Sequence, residues 1–177
     1  LLRVSWARRC VEETGVDEVL GRLPPVDQAV LRQAILPVAW YPLELNLRLD
    51  SAIAEVLSPE DEGRAFIDMG RSSADEALHG EQSAFIRRGE PHFLLSQAPR
   101  IYRFYYAVGS RTYESTGPRS AILRTFCAEN VTEADCLTII GWHERAIELS
   151  GGLSPRVTHP MCRARGAAHC EYHCAWE

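Results

Sequence analysis

Residues 156–176, RVTHPMCRARGAAHCEYHCAW, decide the fold class of this 177-residue chain. They contain two β-rich runs, Arg156 to Cys162 and Cys170 to Trp176, on either side of Gly166. Alternate residues of a strand point to the same face of the sheet. In the second run one face therefore carries Cys170, Tyr172, Cys174 and Trp176. The stretch predicts a β-hairpin with one apolar face.

A helix precedes this hairpin in the sequence. Thr132 is a capping residue with Asp135 three residues on, and Ser150-Gly151-Gly152 ends the helical pattern. The positions that share one helical face are Cys136, Ile140, His143 and Ile147. We expect this face to lie on the sheet.

Further upstream, the sequence pattern changes at Gly109 from helical to strand-like. Arg111 to Ser115 and Ser120 to Phe126 flank Gly117-Pro118 and predict another hairpin. Before Gly109 the chain reads as successive helices, and the clearest predicted one runs from Pro59 to Leu78 with an interruption near Gly70. The order predicts an α+β fold with helices packed on a twisted antiparallel sheet. We expect a single domain over 1–177, with a helical part over 1–108 and an α+β part over 109–177.

Composition excludes several function classes. The formal net charge is −5 without a run of basic residues, so nucleic acid is not an expected partner. Lysine is absent, which excludes Schiff-base and P-loop lysine chemistry. No apolar run approaches the ~20 residues of a membrane span, and we expect a cytoplasmic protein. No catalytic motif is evident, so we expect no enzyme.

Cysteine is concentrated near the end of the chain. Five of the six cysteines lie in the last 51 residues, which favours a metal site over a secreted disulfide framework. Two other interpretations stay open at this point. Cys136 can be a buried helix cysteine, and Cys162 and Cys170 can pack together or form a disulfide across the hairpin.

The C-terminal motifs resemble one known family. Gly141-Trp142, and the pattern of Cys162, Gly166 and Cys170 with Tyr172 and Trp176, resemble the 4-vinyl-reductase-type domain family over about residues 110 to 177. The preceding helices, with Trp40-Tyr41-Pro42, look like an uncharacterised myxobacterial family of similar length.

This resemblance implies a fold related to trafficking-complex subunits, a homodimer, an apolar cavity and a structural zinc. The implied zinc ligands are Cys136, Cys162, Cys170 and, in place of an acidic residue, His159. Imidazole and carboxylate both bind zinc, so this change is chemically acceptable, although His169, His173 and Cys174 are also within reach. In a regular strand His159 and Cys162 point to opposite faces, unless Pro160 marks a bulge or the strand start.

Aromatic residues form the other candidate site. We expect an internal cavity for a small apolar or aromatic ligand, bordered by Trp40, Tyr41, Tyr102, Tyr105 and Tyr106. The alternative is that these residues only pack a helix on the sheet. The predicted function is a non-catalytic sensory domain that binds a small molecule. The alternatives are a dimeric interaction module without a ligand and, less favoured, a reductase-type enzyme.

Overall fold

Six α-helices precede the sheet within the described residues. The computed structural model describes residues 13–36, 39–128 and 131–177. Proline stands at or next to the first position of most of these helices, where its fixed φ is favourable and its missing N–H is not needed. The helices are α1 (Glu13–Gly21), α2 (Pro25–Leu31), α3 (Leu43–Leu57), α4 (Glu62–His79), α5 (Pro91–Ser96) and α6 (Ala98–Tyr105).

The long helix α4 differs in two ways from the sequence prediction. It begins after Asp61, whose carboxylate accepts from the Arg64 N–H at 2.9 Å, and so it starts three residues later than expected. It also continues through Gly70 without interruption. The reason is that Gly70 serves a close helix contact and does not end a helix.

Four antiparallel strands and one more helix complete the fold. The strands are β1 (Ser110–Gly117), β2 (Ser120–Phe126), β3 (Arg156–Met161) and β4 (Cys170–Ala175), and their order in the sheet is β1-β2-β4-β3. Helix α7 (Glu133–Leu149) joins the two hairpins. Its cap is the predicted one, since Thr132 Oγ1 accepts from the Asp135 N–H at 3.1 Å. The prediction of helices packed on an antiparallel sheet is confirmed.

The core of the C-terminal half lies between α7 and the sheet. Leu123 on β2 faces Tyr172 on β4 in the strand register, and both are fully buried. These two residues belong to one hydrophobic cluster with Ala146 and Ile147 of α7. The predicted placement of this helix on the sheet is therefore correct.

Helix α4 covers the other side of α7 at very short range. A Cβ atom added to Gly70 would lie 1.9 Å from the Thr138 carbonyl oxygen, and one added to Gly141 would lie 2.0 Å from the Ile67 carbonyl oxygen. Both positions therefore require glycine, because any side chain would overlap the backbone of the opposite helix.

The N-terminal helices form their own hydrophobic cluster. It includes Leu20 of α1, Leu49 and Ile53 of α3 and Phe66 of α4, and Leu137 of α7 packs against it. Helices α4 and α7 thus contribute to both clusters and connect the two halves. No helix in the described part of the chain is long and apolar enough to cross a membrane.

Candidate ligand-binding site

A cavity of about 60 Å³ lies among α3, α4, α6, α7 and the start of β1. Helix α6 brings tyrosines to it, α7 brings Trp142 and His143, and single polar residues come from the other elements. Its lining consists of Asp50, Ser73, Ala98, Ile101, Tyr102, Tyr105, Tyr106, Arg111, Asp135, Thr138, Ile139, Trp142 and His143. The helical half and the sheet half of the molecule therefore both contribute to this site.

The tyrosines form one ordered side of the cavity. Tyr102 and Tyr106 stack with their ring centroids 4.8 Å apart. The Tyr102 hydroxyl donates to the Val108 carbonyl oxygen at 2.7 Å, and the Tyr106 hydroxyl donates to Asp135 Oδ1 at 3.4 Å. Burial raises the pKa of the Tyr106 hydroxyl well above its usual range. Both side chains are therefore fixed, neutral parts of the cavity wall.

Asp50 is a buried carboxyl with one engaged oxygen. Asn46, four residues earlier on α3, donates from Nδ2 to Asp50 Oδ2 at 2.9 Å, whereas Oδ1 has no partner in the described part of the chain. Burial raises the pKa of Asp50 to about 8, and the nearby Asp135 carboxylate adds to the shift. The carboxyl is therefore mostly protonated at neutral pH.

Arg111 and His143 line the same cavity and contact each other. Arg111 Nε donates to Thr125 Oγ1 at 2.9 Å, and Arg111 Nη1 lies 3.3 Å from His143 Nε2. A guanidinium only donates, so His143 Nε2 accepts and the imidazole proton is on Nδ1. Burial, together with the Arg111 charge, holds the pKa of His143 well below its usual range. The imidazole is therefore neutral.

Four buried polar atoms of residues that line this cavity have no hydrogen-bond partner among the residues that the structure describes. They are Asp50 Oδ1, Arg111 Nη2, Trp142 Nε1 and His143 Nδ1. An unsatisfied buried polar group costs about 1–3 kcal/mol, and native proteins keep such groups mainly where water, an ion or a ligand satisfies them. Four of them on residues that line one cavity indicate a site for a polar molecule.

The structure brings some of the predicted ligand residues together and separates others. Tyr102, Tyr105 and Tyr106 line the cavity. Trp40 is 55% exposed, and Tyr41 lines a separate cavity of about 10 Å³ at α3, where its hydroxyl accepts from the Leu36 N–H. His143, which the sequence places on the sheet-facing side of its helix, is buried, and its Nδ1 has no partner among the described residues.

The predicted metal ligands form a second cluster at the end of the sheet. The ligand atoms of Cys136, His159, Cys162 and Cys170 all lie within 4.8 Å of one another. The β3–β4 register shifts between Thr158 and Met161, next to Pro160. Because of this irregularity, His159 and Cys162 do not point to opposite faces as they would in a regular strand. The spacing argument therefore identified side chains that are neighbours in the fold.

The cluster contains reduced sulfur. Cys136 Sγ and Cys162 Sγ are 3.8 Å apart, and all five described cysteines are free thiols, so the disulfide alternative is not observed. Cys10 lies outside the described residues. The Cys136 thiol donates to Cys170, which lowers the pKa of Cys170 and raises that of Cys136. The assignment of these four side chains as metal ligands stays a prediction, and elemental analysis of the purified protein can test it.

Comparison with known proteins identifies relatives of the fold. No protein family profile matches the chain, and no curated protein matches it. Among solved structures, the chain is similar to an H-NOX domain from Shewanella oneidensis in the Fe(II)CO ligation state, with a TM-score of 0.74, 12% identity, and coverage of 98% of this chain and 94% of that one.

Two further structures give the same result. An Fe(II) unliganded H-NOX protein from K. algicida has a TM-score of 0.69 at 9% identity, with 93% of this chain and 87% of that chain covered. A structure described in terms of haem redox potential and protein-induced porphyrin distortion has a TM-score of 0.69 at 11% identity, with coverages of 98% and 95%. The fold is therefore H-NOX-like.

These findings correct two sequence predictions. The resemblance to the 4-vinyl-reductase-type family and to the myxobacterial family is wrong, because the similar structures are H-NOX domains. The predicted structural zinc cofactor is also wrong, because the group named for these structures is haem. Short cysteine and glycine motifs of a hairpin can recur on different folds, which explains the error.

The described residues do not fit a haem. The cavity of about 60 Å³ is far below the roughly 300–1,000 Å³ of pockets for drug-sized ligands. His92 offers no free nitrogen for iron, since Nδ1 is 2.7 Å from Tyr113 Oη and Nε2 is 2.9 Å from the Gly117 carbonyl oxygen. His143 Nε2 faces the Arg111 guanidinium. No step below involves haem.

Proposed function

We propose that this chain is a non-catalytic sensory domain that binds a small molecule in the cavity beside His143. The observation that carries this proposal is the set of four unpartnered buried polar atoms on Asp50, Arg111, Trp142 and His143. The H-NOX structures of similar fold are described by ligation states such as Fe(II)CO, which supports small-molecule binding within this architecture.

The position of the cavity suits a sensory role. Its walls come from the N-terminal helices α3 and α4, from α6 and α7, and from the first residues of the sheet. A molecule bound there contacts elements of both hydrophobic clusters at once. Binding can therefore change the relative stability of two arrangements of these elements, provided that the ligand favours one of them.

The proposal of a non-catalytic role rests on the chemistry of the lining. His143 is neutral and bonded to a cation, and the Asp50 carboxyl is mostly protonated at neutral pH. Because its pKa is held well below the usual range, His143 is not poised as a general base near pH 7. The bound molecule is expected to leave unchanged.

The test is a thermal-shift screen of carboxylates, amides and alcohols of up to six non-hydrogen atoms. Ser73 lines the cavity and its neighbour Ser72 does not, so Ser73→Leu fills the site and Ser72→Leu is the matched control. We expect at least one compound to raise Tm in the wild type and in Ser72→Leu but not in Ser73→Leu. If no compound does so, the interaction module without a ligand becomes the better account.

A further inference from the structure

We propose that the cysteine cluster at the end of the sheet is an oxidation site, at which hydrogen peroxide joins Cys136 to Cys162 in a disulfide. Cys136 lies in the first turn of α7, and Cys162 directly follows β3. The bond therefore ties the helix that lines the cavity beside His143 to the β3–β4 hairpin. This inference is independent of the proposed function, because neither cysteine lines that cavity.

The two sulfur atoms are close enough to react. Cys136 Sγ and Cys162 Sγ are 3.8 Å apart, whereas the sulfur atoms of a disulfide are about 2.05 Å apart. Rotation of the two side chains about their Cα–Cβ bonds can close this gap. The residues are 26 positions apart in the sequence and belong to different elements, so the disulfide is a long-range link within the fold.

The third thiol of the cluster is engaged differently. The Cys170 sulfur accepts a hydrogen bond from the Arg163 backbone N–H at 3.4 Å. This backbone donor holds the Cys170 sulfur in its place beside the other two. We therefore assign the disulfide to Cys136 and Cys162, which join the helix to the hairpin.

Burial decides which oxidants act on the cluster. Cys136 and Cys162 are only 1% and 2% exposed. The turn that follows Cys162 is exposed at residues 164–166, so a local opening of this turn admits a small molecule. Hydrogen peroxide is small enough to enter, whereas a bulky aromatic disulfide reagent is not. Cys127 is an exposed free thiol and serves as the comparison.

The reaction balances with hydrogen peroxide as the oxidant. The first thiol attacks one peroxide oxygen, so that an S–O bond forms, the O–O bond breaks and the second oxygen leaves as water with the thiol proton. The other thiol then attacks the sulfenic sulfur, so that an S–S bond forms, the S–O bond breaks and a second water leaves. The two sulfur atoms together lose two electrons, which reduce the peroxide.

Peptide mass spectrometry of the full chain tests the bond. The protein is reduced, freed of metal with a chelator, treated with hydrogen peroxide, alkylated and digested with trypsin without reductant. Trypsin cleaves after arginine, which places Cys136 in peptide 125–145 and Cys162 in peptide 157–163. We expect these two peptides to be joined and to separate on reduction. Peptide 157–163 joined to peptide 166–177, or alkylated throughout, would overturn the proposal.

A pair of serine variants locates the bond within peptide 125–145, which also contains Cys127. Cys127→Ser should keep the cross-link, and Cys136→Ser should lose it. Digestion of the wild type after Glu133 separates Cys127 from Cys136, so the result does not depend on the folding of either variant. A cross-link that contains Cys127 would contradict the assignment.

Two further measurements show whether the bond forms in the folded protein. A bulky aromatic disulfide reagent should label Cys127 and leave Cys136 and Cys162 unlabelled in the folded chain. The cross-link should raise Tm by about 5 °C or more, and reduction should reverse this shift. A cross-linked chain that melts below the reduced chain would show that the fold does not accommodate the bond, and would overturn the proposal.

Discussion

Asp50 is a carboxyl on the buried face of α3, where Asn46 is its polar neighbour. Leu49 and Ile53 lie beside it on α3, and all three side chains are buried. Because burial raises the pKa of Asp50 to about 8, the folded protein holds a proton that the unfolded chain releases near pH 4. The folded state therefore binds more protons than the unfolded state between these pH values, and stability falls as pH rises through this window.

The substitution Asp50→Asn tests this account. Asparagine keeps the acceptor for Asn46 and cannot ionise, so the variant should gain stability over the wild type by about 1.4 kcal/mol per pH unit between pH 5 and 8. Urea unfolding at pH 5, 6.5 and 8 measures the difference. A difference that does not change with pH would contradict the raised pKa.

Asp27 provides a control, because its pKa is shifted in the opposite direction to that of Asp50. It is buried and paired with Arg48, and hydrogen bonding from Arg48 lowers the pKa of its carboxyl. Its stabilising contribution is present above the unfolded pKa and is lost as pH falls through the folded pKa. Asp27→Asn should therefore destabilise the protein across the same pH range.

Single residues also show what the sequence could and could not predict. The Thr132 cap was predictable because its chemistry is local and involves Asp135 three residues away. Asp50, Arg111 and His143 come together from three distant elements, and no local pattern relates them. A weak signal exists at Asn46 and Asp50, which are polar residues four apart on the buried face of α3.

At the scale of the elements, the contact between α4 and α7 leaves no room for added side-chain atoms at two positions. The two helices approach through Gly70 and Gly141, where an added Cβ would lie 1.9 Å and 2.0 Å from carbonyl oxygens of the opposite helix. Sequence reasoning treated Gly70 as a helix interruption, because glycine weakens isolated helices. In the structure the helix continues through Gly70, because this glycine lies in a close contact with α7. The sequence of one helix alone does not reveal such a contact.

Alanine substitutions test how far an added methyl group destabilises this helix contact. Gly70→Ala and Gly141→Ala should each destabilise the protein by about 3 kcal/mol or more, because backbone must move to admit the methyl group. Gly63→Ala on the same helix is the control, since its Cβ would meet its nearest neighbour at 3.6 Å. That control should be neutral or stabilising by up to about 1 kcal/mol in urea unfolding. A mild effect at all three positions would contradict the close helix contact.

The elements themselves were largely predictable. Both hairpins and α7 lie close to where alternation and caps place them, because those signals are local. The sheet order β1-β2-β4-β3 and the register shift beside Pro160 depend on long-range pairing. The cysteine cluster was predicted only through spacing and a family resemblance, and that resemblance proved to be the wrong one.

For the whole molecule, the H-NOX-like fold and the small cavity lead to opposite expectations about haem binding. The solved relatives of this fold are described with haem, whereas the described residues here leave a cavity of about 60 Å³. We expect this chain, expressed in cells supplied with a haem precursor, to purify without stoichiometric Soret absorbance. Stoichiometric haem that is lost in His143→Ala would contradict the fit argued above.

The homodimer stays a prediction at this scale, because no described contact tests it. Light scattering of the purified chain gives the mass directly. A mass near the 19.9 kDa of one chain would count against the dimer. This outcome would leave the cavity and its proposed ligand unaffected, since all lining residues belong to one chain.

The central claim is that the cavity beside His143 is a ligand site, and the indole N–H resonance of Trp142 reports on it most directly. This N–H has no partner among the residues described in the structure, and Trp176 provides an internal reference away from the cavity. Proton–nitrogen spectra should show the Trp142 signal shifting to saturation with a compound from the screen, while the Trp176 signal stays in place. A Trp142 signal that does not move with any compound in the screen would contradict the claim.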